Sequence, residues 1–372
     1  MGDLPLCRHT SGQWCKKING KFYYFGTDLE KALLSYSKSK ENLRAGLGKI
    51  DDSPDLPLHE LADLYYDHKK QQVAIGEFSD RSLQEVKKTL VRLCGVMGRT
   101  SDPASWNQDA YQRIKVKLLE PVSRKKGTGG RGAVQKRSHV TVNGDIRRIK
   151  AFLNWLRNSK YLPPAEPGCA LSEFSSRITR LERHQSSSGP LPASHIRSIL
   201  SKCNVYFLPV VYLGINGGMG VGDISRITLD QLEDLPWLNC PRNKTGTPRR
   251  IYLWPETIKA IKASISRRKE SSHLSAALLT SHGTPWQHDS QDAGTQMFRK
   301  ARIAAKLKKG SFYDLRRTFQ TVGDETMDFP AVSFCMGHTP SASDMSSRYR
   351  QVSDERIKKV CLHIRSWLLK TP

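Results

Sequence analysis

Five prolines and a Ser-Ser-Ser-Gly run fall between residues 161 and 192 (Pro163, Pro164, Pro167, Ser186 to Gly189, Pro190, Pro192) and divide the chain in two. Proline removes a backbone donor and fixes φ, so neither a helix interior nor a central strand runs through such a stretch. The composition predicts a linker over 161–190. On its N-terminal side the apolar residues recur at helical spacing. On its C-terminal side, residues 191–372 are long enough to bury a core of their own.

Residues 12–26, GQWCKKINGKFYYFG, predict a β-hairpin turning at Asn19-Gly20, the strongest two-residue hairpin signal. Trp14, Ile18, Phe22 and Tyr24 supply its aromatic and β-branched content. A helix is expected over 28–36, which completes a small β unit within residues 1–50. Residues 56–160 read as helical. Leu58, Leu61 and Leu64 are assigned to one face, and Ser82 with Glu85 to a capping box ahead of Val86, Leu90, Leu93 and Met97. Val142, Ile146, Ile149, Phe152 and Leu156 repeat at the same period. The fold class is therefore mainly α with small antiparallel β-sheets (α+β).

Charge bounds the partner. Lys plus Arg total 60 against 35 Asp plus Glu, a formal net charge of +25, which calls for a polyanion. Nucleic acid fits. An anionic membrane surface is the second candidate, although no run approaches the roughly 20 apolar residues of a spanning helix. The N-terminus lacks a charged-then-apolar leader, and Leu6 stands where a myristoylation motif wants Ser or Thr. The expectation is a soluble, intracellular protein. Eight cysteines without a C-x-x-C pair fit reduced thiols. Cys7, His9 and Cys15 lack a fourth zinc ligand, so neither metal nor cofactor is expected.

Gly127, Gly129 and Gly132 spell G-x-G-x-x-G, but no strand precedes them and no βαβ pattern surrounds them, which excludes a dinucleotide site. The basic stretch around them carries Lys125, Lys126, Arg131, Lys136 and Arg137. It reads either as a loop touching phosphates or as a solvated charge run.

The last third of the chain concentrates phosphate chemistry. Lys244 sits in a strand–turn–strand segment, PWLNCPRNKTGTPRRIYLWPET, turning at Thr245-Gly246. Ser311 and Asp314 mark a helix start, after which Tyr313, Arg316, Arg317 and Gln320 share a face. A guanidinium grips phosphate with two parallel hydrogen bonds, the reason to want Arg at 316. Met336-Gly337-His338-Thr339 follows. Tyr349, flanked by Arg348 and Arg350, is the only tyrosine after Tyr313. Ile357, Val360, Ile364 and Leu368 then form an apolar stripe on a terminal helix.

In this order and rough spacing, these residues resemble the tyrosine recombinases, the phage-integrase family. Leu315, Arg316 and Thr318 match its H-x-L-R-H-T helix, with Tyr313 and Arg317 replacing the two histidines. Met336 to Thr339 resembles its L-G-H-[ST] element. Gly218, Asp223 and Ile224 follow its T-G-x-R-x-[ST]-E-[LI] segment, but Gly220 occupies the position of the first arginine. Arg226, Arg249 and Arg250 are candidates to fill that gap.

The resemblance implies Tyr349 as nucleophile, Lys244 as general acid, Arg316 and His338 as phosphate clamps, and Tyr313 in support. Arg317 and the basic loop would contact DNA. It implies an arm-type DNA-binding unit over 1–50, a helical core-binding (SAM-like) domain over 56–160 and a catalytic domain over 191–372. The implied function is site-specific DNA recombination or integration for a mobile element, through a 3′-phosphotyrosyl intermediate that needs neither ATP nor metal. The implied partners are double-stranded DNA and further copies of the chain, a homo-tetramer on DNA whose terminal helix packs either at home or into a neighbour. The implied location is cytoplasmic, at the nucleoid. Gly220 and Tyr313 favour the alternative, a catalytically impaired DNA-binding protein on the same fold.

Overall fold

The structure, a computed structural model, describes residues 4–9, 12–25, 27–46, 56–123, 134–164, 170–186, 189–268, 275–288, 291–338 and 351–370. The chain forms two compact units, Met1–Ser186 and Ser187–Pro372.

The first unit opens with a three-stranded antiparallel sheet, β1 (Cys7–Arg8), β2 (Trp14–Ile18) and β3 (Lys21–Tyr24), followed by α1 (Leu29–Arg44). Asn19 and Gly20 both take positive φ (49° and 80°), the conformation that lets a two-residue turn match the strand twist. The short β1 and the second half of α1 extend the expected unit. Leu6, Phe25, Ala32, Tyr36 and Leu43 form its small core.

The helical part contains α2 (Leu58–Ala74), α3 (Asp80–Met97), α4 (Gln108–Leu119), α5 (His139–Asn158) and α6 (Ser176–Ser186). Between α4 and α5, β4 (Val122–Ser123) pairs antiparallel with β5 (Val134–Gln135). Two sequence readings need correction. Leu64 is exposed while Tyr65 is buried with Leu58 and Leu61. At about 100° per residue, a step of seven returns to the starting face and a step of six does not. The cap of α3 is Ser79, whose Oγ accepts from the Ser82 N–H, so the helix starts one turn earlier than expected and Glu85 instead pairs with Lys88.

The stretch read as linker also holds structure. Leu162 and Leu171 are buried in the helical core, and α6 occupies residues 176–186. Asn143 on α5 binds the backbone of Phe174 through both its amide nitrogen and oxygen, fixing the approach to α6.

The second unit runs α7 (Ala193–Leu200), α8 (Leu208–Asn216), α9 (Val221–Ile224), β6 (Trp237–Asn239), β7 (Arg250–Tyr252), α10 (Pro255–Ile265), β8 (Gln287–His288), β9 (Gln291–Asp292), α11 (Ala293–Ala304), α12 (Phe312–Asp324), α13 (Phe329–Cys335) and α14 (Asp354–Leu369). β6 pairs with β7 and β8 with β9, each antiparallel. One large core joins these helices. Ile357, Val360, Ile364 and Leu368 of α14 are fully buried in that core. Trp254 donates its indole N–H to Cys361 O at 2.8 Å, and Arg365 forks onto Glu256. The terminal helix therefore packs within its own unit. Among the described residues, no helix is long and apolar enough to cross a membrane.

Candidate functional site

The site is built where α8, α12 and α13 end or begin. Asn216, wholly buried at the end of α8, accepts from the Trp254 N–H and the Thr257 hydroxyl and donates to Tyr252 O. That anchors the chain as it leaves the helix. Gly218 then takes φ +58°, with Phe319 and Met336 packed where a side chain would be, so its carbonyl turns inward. A second left-handed glycine, Gly337 at φ +62°, ends α13.

Arg316 lies between these two turns. A full capping box starts α12, with the Ser311 hydroxyl and Asp314 carboxylate each satisfying the other's backbone. The helix carries Arg316 inward, leaving it 4% exposed. Its Nη1 donates to Gly218 O at 2.5 Å and its Nη2 to Met336 O at 2.8 Å. Neither partner is an anion. Among the described residues this buried guanidinium is hydrogen-bonded only by carbonyls, and the one carboxylate whose charge acts on it, Asp223, does so without a hydrogen bond. Burial, with the cations Arg242 and Arg249 close by, pushes Arg316 down to about 10, so it remains charged at neutral pH.

His338 follows directly and is half-buried, its N–H bound to Ser333 O. Desolvation first, then Arg316 and Arg242, hold its imidazole below the usual histidine range. Asp223 on α9, whose charge acts on Arg316, is already engaged: it binds the fully buried Arg249 at 3.0 Å and accepts from the Asn243 N–H. Arg249 Nε donates to Cys240 O. Asp223 thus ties α9 to the loop between β6 and β7, which carries Lys244. What results is a cluster with excess positive charge, Arg242, Arg249 and Arg316 around Asp223 and beside His338, suited to an anion.

The predicted site residues fall into three groups. Arg316 and His338 are brought together, and Tyr313 lies close enough to Arg316 to interact with its charge, though its ring is mostly exposed. Lys244 is exposed at the tip of the β6–β7 turn, two residues from Arg242. Arg317 binds Asp314 at 2.8 Å and covers the Tyr313 ring. Of the loop cations, Lys136 is exposed, whereas Arg137 turns inward to Asp145 and to Leu118 O. Tyr349, Lys125, Lys126 and Arg131 lie outside the described residues.

The arginines named to replace the missing one are all occupied. Arg249 is committed to Asp223 and Cys240. Arg250 forks onto Asp354 at 2.8 and 2.9 Å. Arg226 binds Asn243 at 2.6 Å. The residue that sequence reasoning missed is Arg242. Its signal was position alone: it opens the same turn that presents Lys244.

No family model matches the chain, and no curated protein matches it. Solved structures do. A lambda integrase dimer bound to a COC′ core site is similar at TM-score 0.52 and 13% identity, covering 94% of this chain and 97% of that one. A lambda integrase tetramer bound to a Holliday junction matches at 0.52 and 14%, covering 91% and 96%. The Tn1549 transposon integrase in complex with transposon right end DNA matches at 0.56 and 14%, covering 83% and 100%. At these identities the likeness is one of fold: this chain has the architecture of the lambda and Tn1549 integrases, which are tyrosine recombinases.

Proposed function

We propose that this chain binds duplex DNA and breaks and rejoins it as a tyrosine recombinase. One observation carries the reading: a buried arginine whose hydrogen bonds among the described residues go only to carbonyls, Arg316, lies near enough to His338 for its charge to depress the imidazole, in a fold shared with DNA-bound integrases. A phosphodiester supplies an anion. Its two non-bridging oxygens suit a guanidinium and an imidazole, and the net charge of +25 favours the approach of DNA.

In the proposed step the phenol oxygen of Tyr349 bonds to phosphorus, and the bond from phosphorus to the 5′-oxygen breaks. The phenol proton passes to solvent water, the leaving oxygen takes one from the Lys244 ammonium, and solvent returns a proton to that amine. A phosphodiester becomes a 3′-phosphotyrosyl diester of the same charge. A 5′-hydroxyl from the partner strand reverses the exchange and seals the new joint. The dimeric and tetrameric neighbours support assembly of several copies on DNA.

A nicked suicide duplex tests this reading, because loss of the short 5′-hydroxyl fragment traps the intermediate. The expected result is a covalent protein–DNA adduct with wild-type protein and none with Tyr349→Phe. Binding to cognate DNA without any adduct would assign the chain instead to the non-catalytic DNA-binding reading that Gly220 favours.

A further inference from the structure

Gly220 caps α9 in an extended conformation (φ −85°, ψ 159°), and a Cβ built there meets no atom of the described residues within 4 Å. Among the described residues, room is left at this position and no side chain fills it. Arg242 is placed to supply one. Its backbone is fixed by the turn: its N–H donates to Thr247 O, and its carbonyl accepts from Thr245 and Gly246. Its stem packs on Gly337, immediately before His338. The guanidinium makes only a long contact to Gly337 O, at 3.5 Å, and meets no carboxylate among the described residues. Every other arginine of the β6–β7 loop and its strand ends is bound to an acid.

We infer that Arg242 provides the phosphate-gripping guanidinium that Gly220 lacks, forming one anion site with Arg316 and His338. The assignment rests on the proposed reading of this pocket as a phosphodiester site and adds to it a binding residue from a different element. A long side chain rooted in the turn takes the place of one rooted at the start of α9. Three donors from three elements (the β6–β7 turn, α12 and the end of α13) would then surround a single phosphorus. The depressed imidazole of His338, with Arg242 among its causes, agrees with this convergence.

The test uses the full chain and inorganic phosphate, followed through the His338 ring resonances, alongside adduct formation on the nicked duplex. Arg242→Gln keeps the stem over Gly337 while removing the charge. It is expected to weaken phosphate binding about tenfold or more, the effect of losing one charge-assisted bond, with an unchanged melting temperature. Adding Gly220→Arg is expected to restore most of the loss, since no atom of the described residues fills the space there. Undiminished phosphate affinity in Arg242→Gln overturns the assignment, as does a wild-type chain whose His338 signals ignore phosphate. The two readings separate cleanly. Phosphate binding that depends on Arg242, in a protein that never forms an adduct, upholds the anion site and sinks the cleavage chemistry. Equal adduct yields from wild type and Arg242→Gln do the reverse.

Discussion

The stem of Arg242 lies so close to the backbone of Gly337 that a β-carbon added at 337 would sit 2.9 Å from Arg242 Cβ. Gly337 is also left-handed, at φ +62°. Gly337→Ala therefore meets two penalties at once. The backbone alone costs about 1–2 kcal/mol, and the clash displaces Arg242 or the His338 segment. The expected outcome is a lower melting temperature together with loss of phosphate-induced shifts at His338. A variant that melts early but binds phosphate like wild type would show that the two residues are packed together without being coupled.

Arg316 gives a sharper separation of stability from chemistry. Arg316→Lys keeps a charge but cannot reach both Gly218 O and Met336 O with a single ammonium. One buried carbonyl is left unmet, at about 1–3 kcal/mol in denaturant titration. Loss of one donor to the developing transition-state charge is expected to slow adduct formation by about 10²–10³. Full-speed cleavage by Arg316→Lys, measured in a single turnover, would remove Arg316 from the phosphate.

His338 makes a pH prediction whose sign is fixed. Burial and the charges of Arg316 and Arg242 lower its folded value below the ordinary 6.5. Above 6.5 both folded and unfolded chains carry a neutral ring, and the residue contributes no pH dependence. Below 6.5 the unfolded chain takes up the proton first, so stability falls until the pH passes the folded value. His338→Gln removes this component, so its melting curve is expected to decline less than that of wild type between pH 7 and 5.5. Bound phosphate opposes the effect, because an anion beside the ring raises its proton affinity.

Legibility in the sequence followed how local the cause was. The Asn19-Gly20 turn and the Ser311–Asp314 cap each depend on a few adjacent residues, and both appear as read. The stripe on α14 was legible because four apolar residues at helical spacing need a core, and the core they found is their own unit. Helix α6 was hidden because prolines on both sides dominate the composition, while its order comes from tertiary ties such as Asn143 to Phe174. Leu64 was misassigned by a period of three where the helix repeats at 3.6. Arg242 was invisible for another reason. It becomes notable only when Gly337, distant in sequence, is folded against it, and when the nearer arginines prove to be spoken for by Asp223, Asp354 and Asn243.

The two neighbouring cations Lys136 and Arg137 should part company under mutation. Arg137 joins Arg92, Arg148 and the Thr89 hydroxyl around Asp145, a carboxylate 1% exposed in the helical core. Asp145→Ala leaves three guanidinium groups facing one another, at a cost of about 3–5 kcal/mol, nearer the lower figure because Arg92 and Arg148 reach solvent. Arg137→Ala is expected to lower stability as well, with little change in how DNA affinity responds to salt. Lys136 is exposed. If it touches a backbone phosphate, Lys136→Ala leaves melting unchanged and reduces the slope of log affinity against log salt by about 1. Titrations from low to moderate salt on one duplex, with the three variants side by side, decide the matter. A salt slope that shifts for Arg137→Ala and stays fixed for Lys136→Ala would mean that the inward arginine leaves Asp145 to meet DNA, and that the ion-pair cluster rearranges on binding.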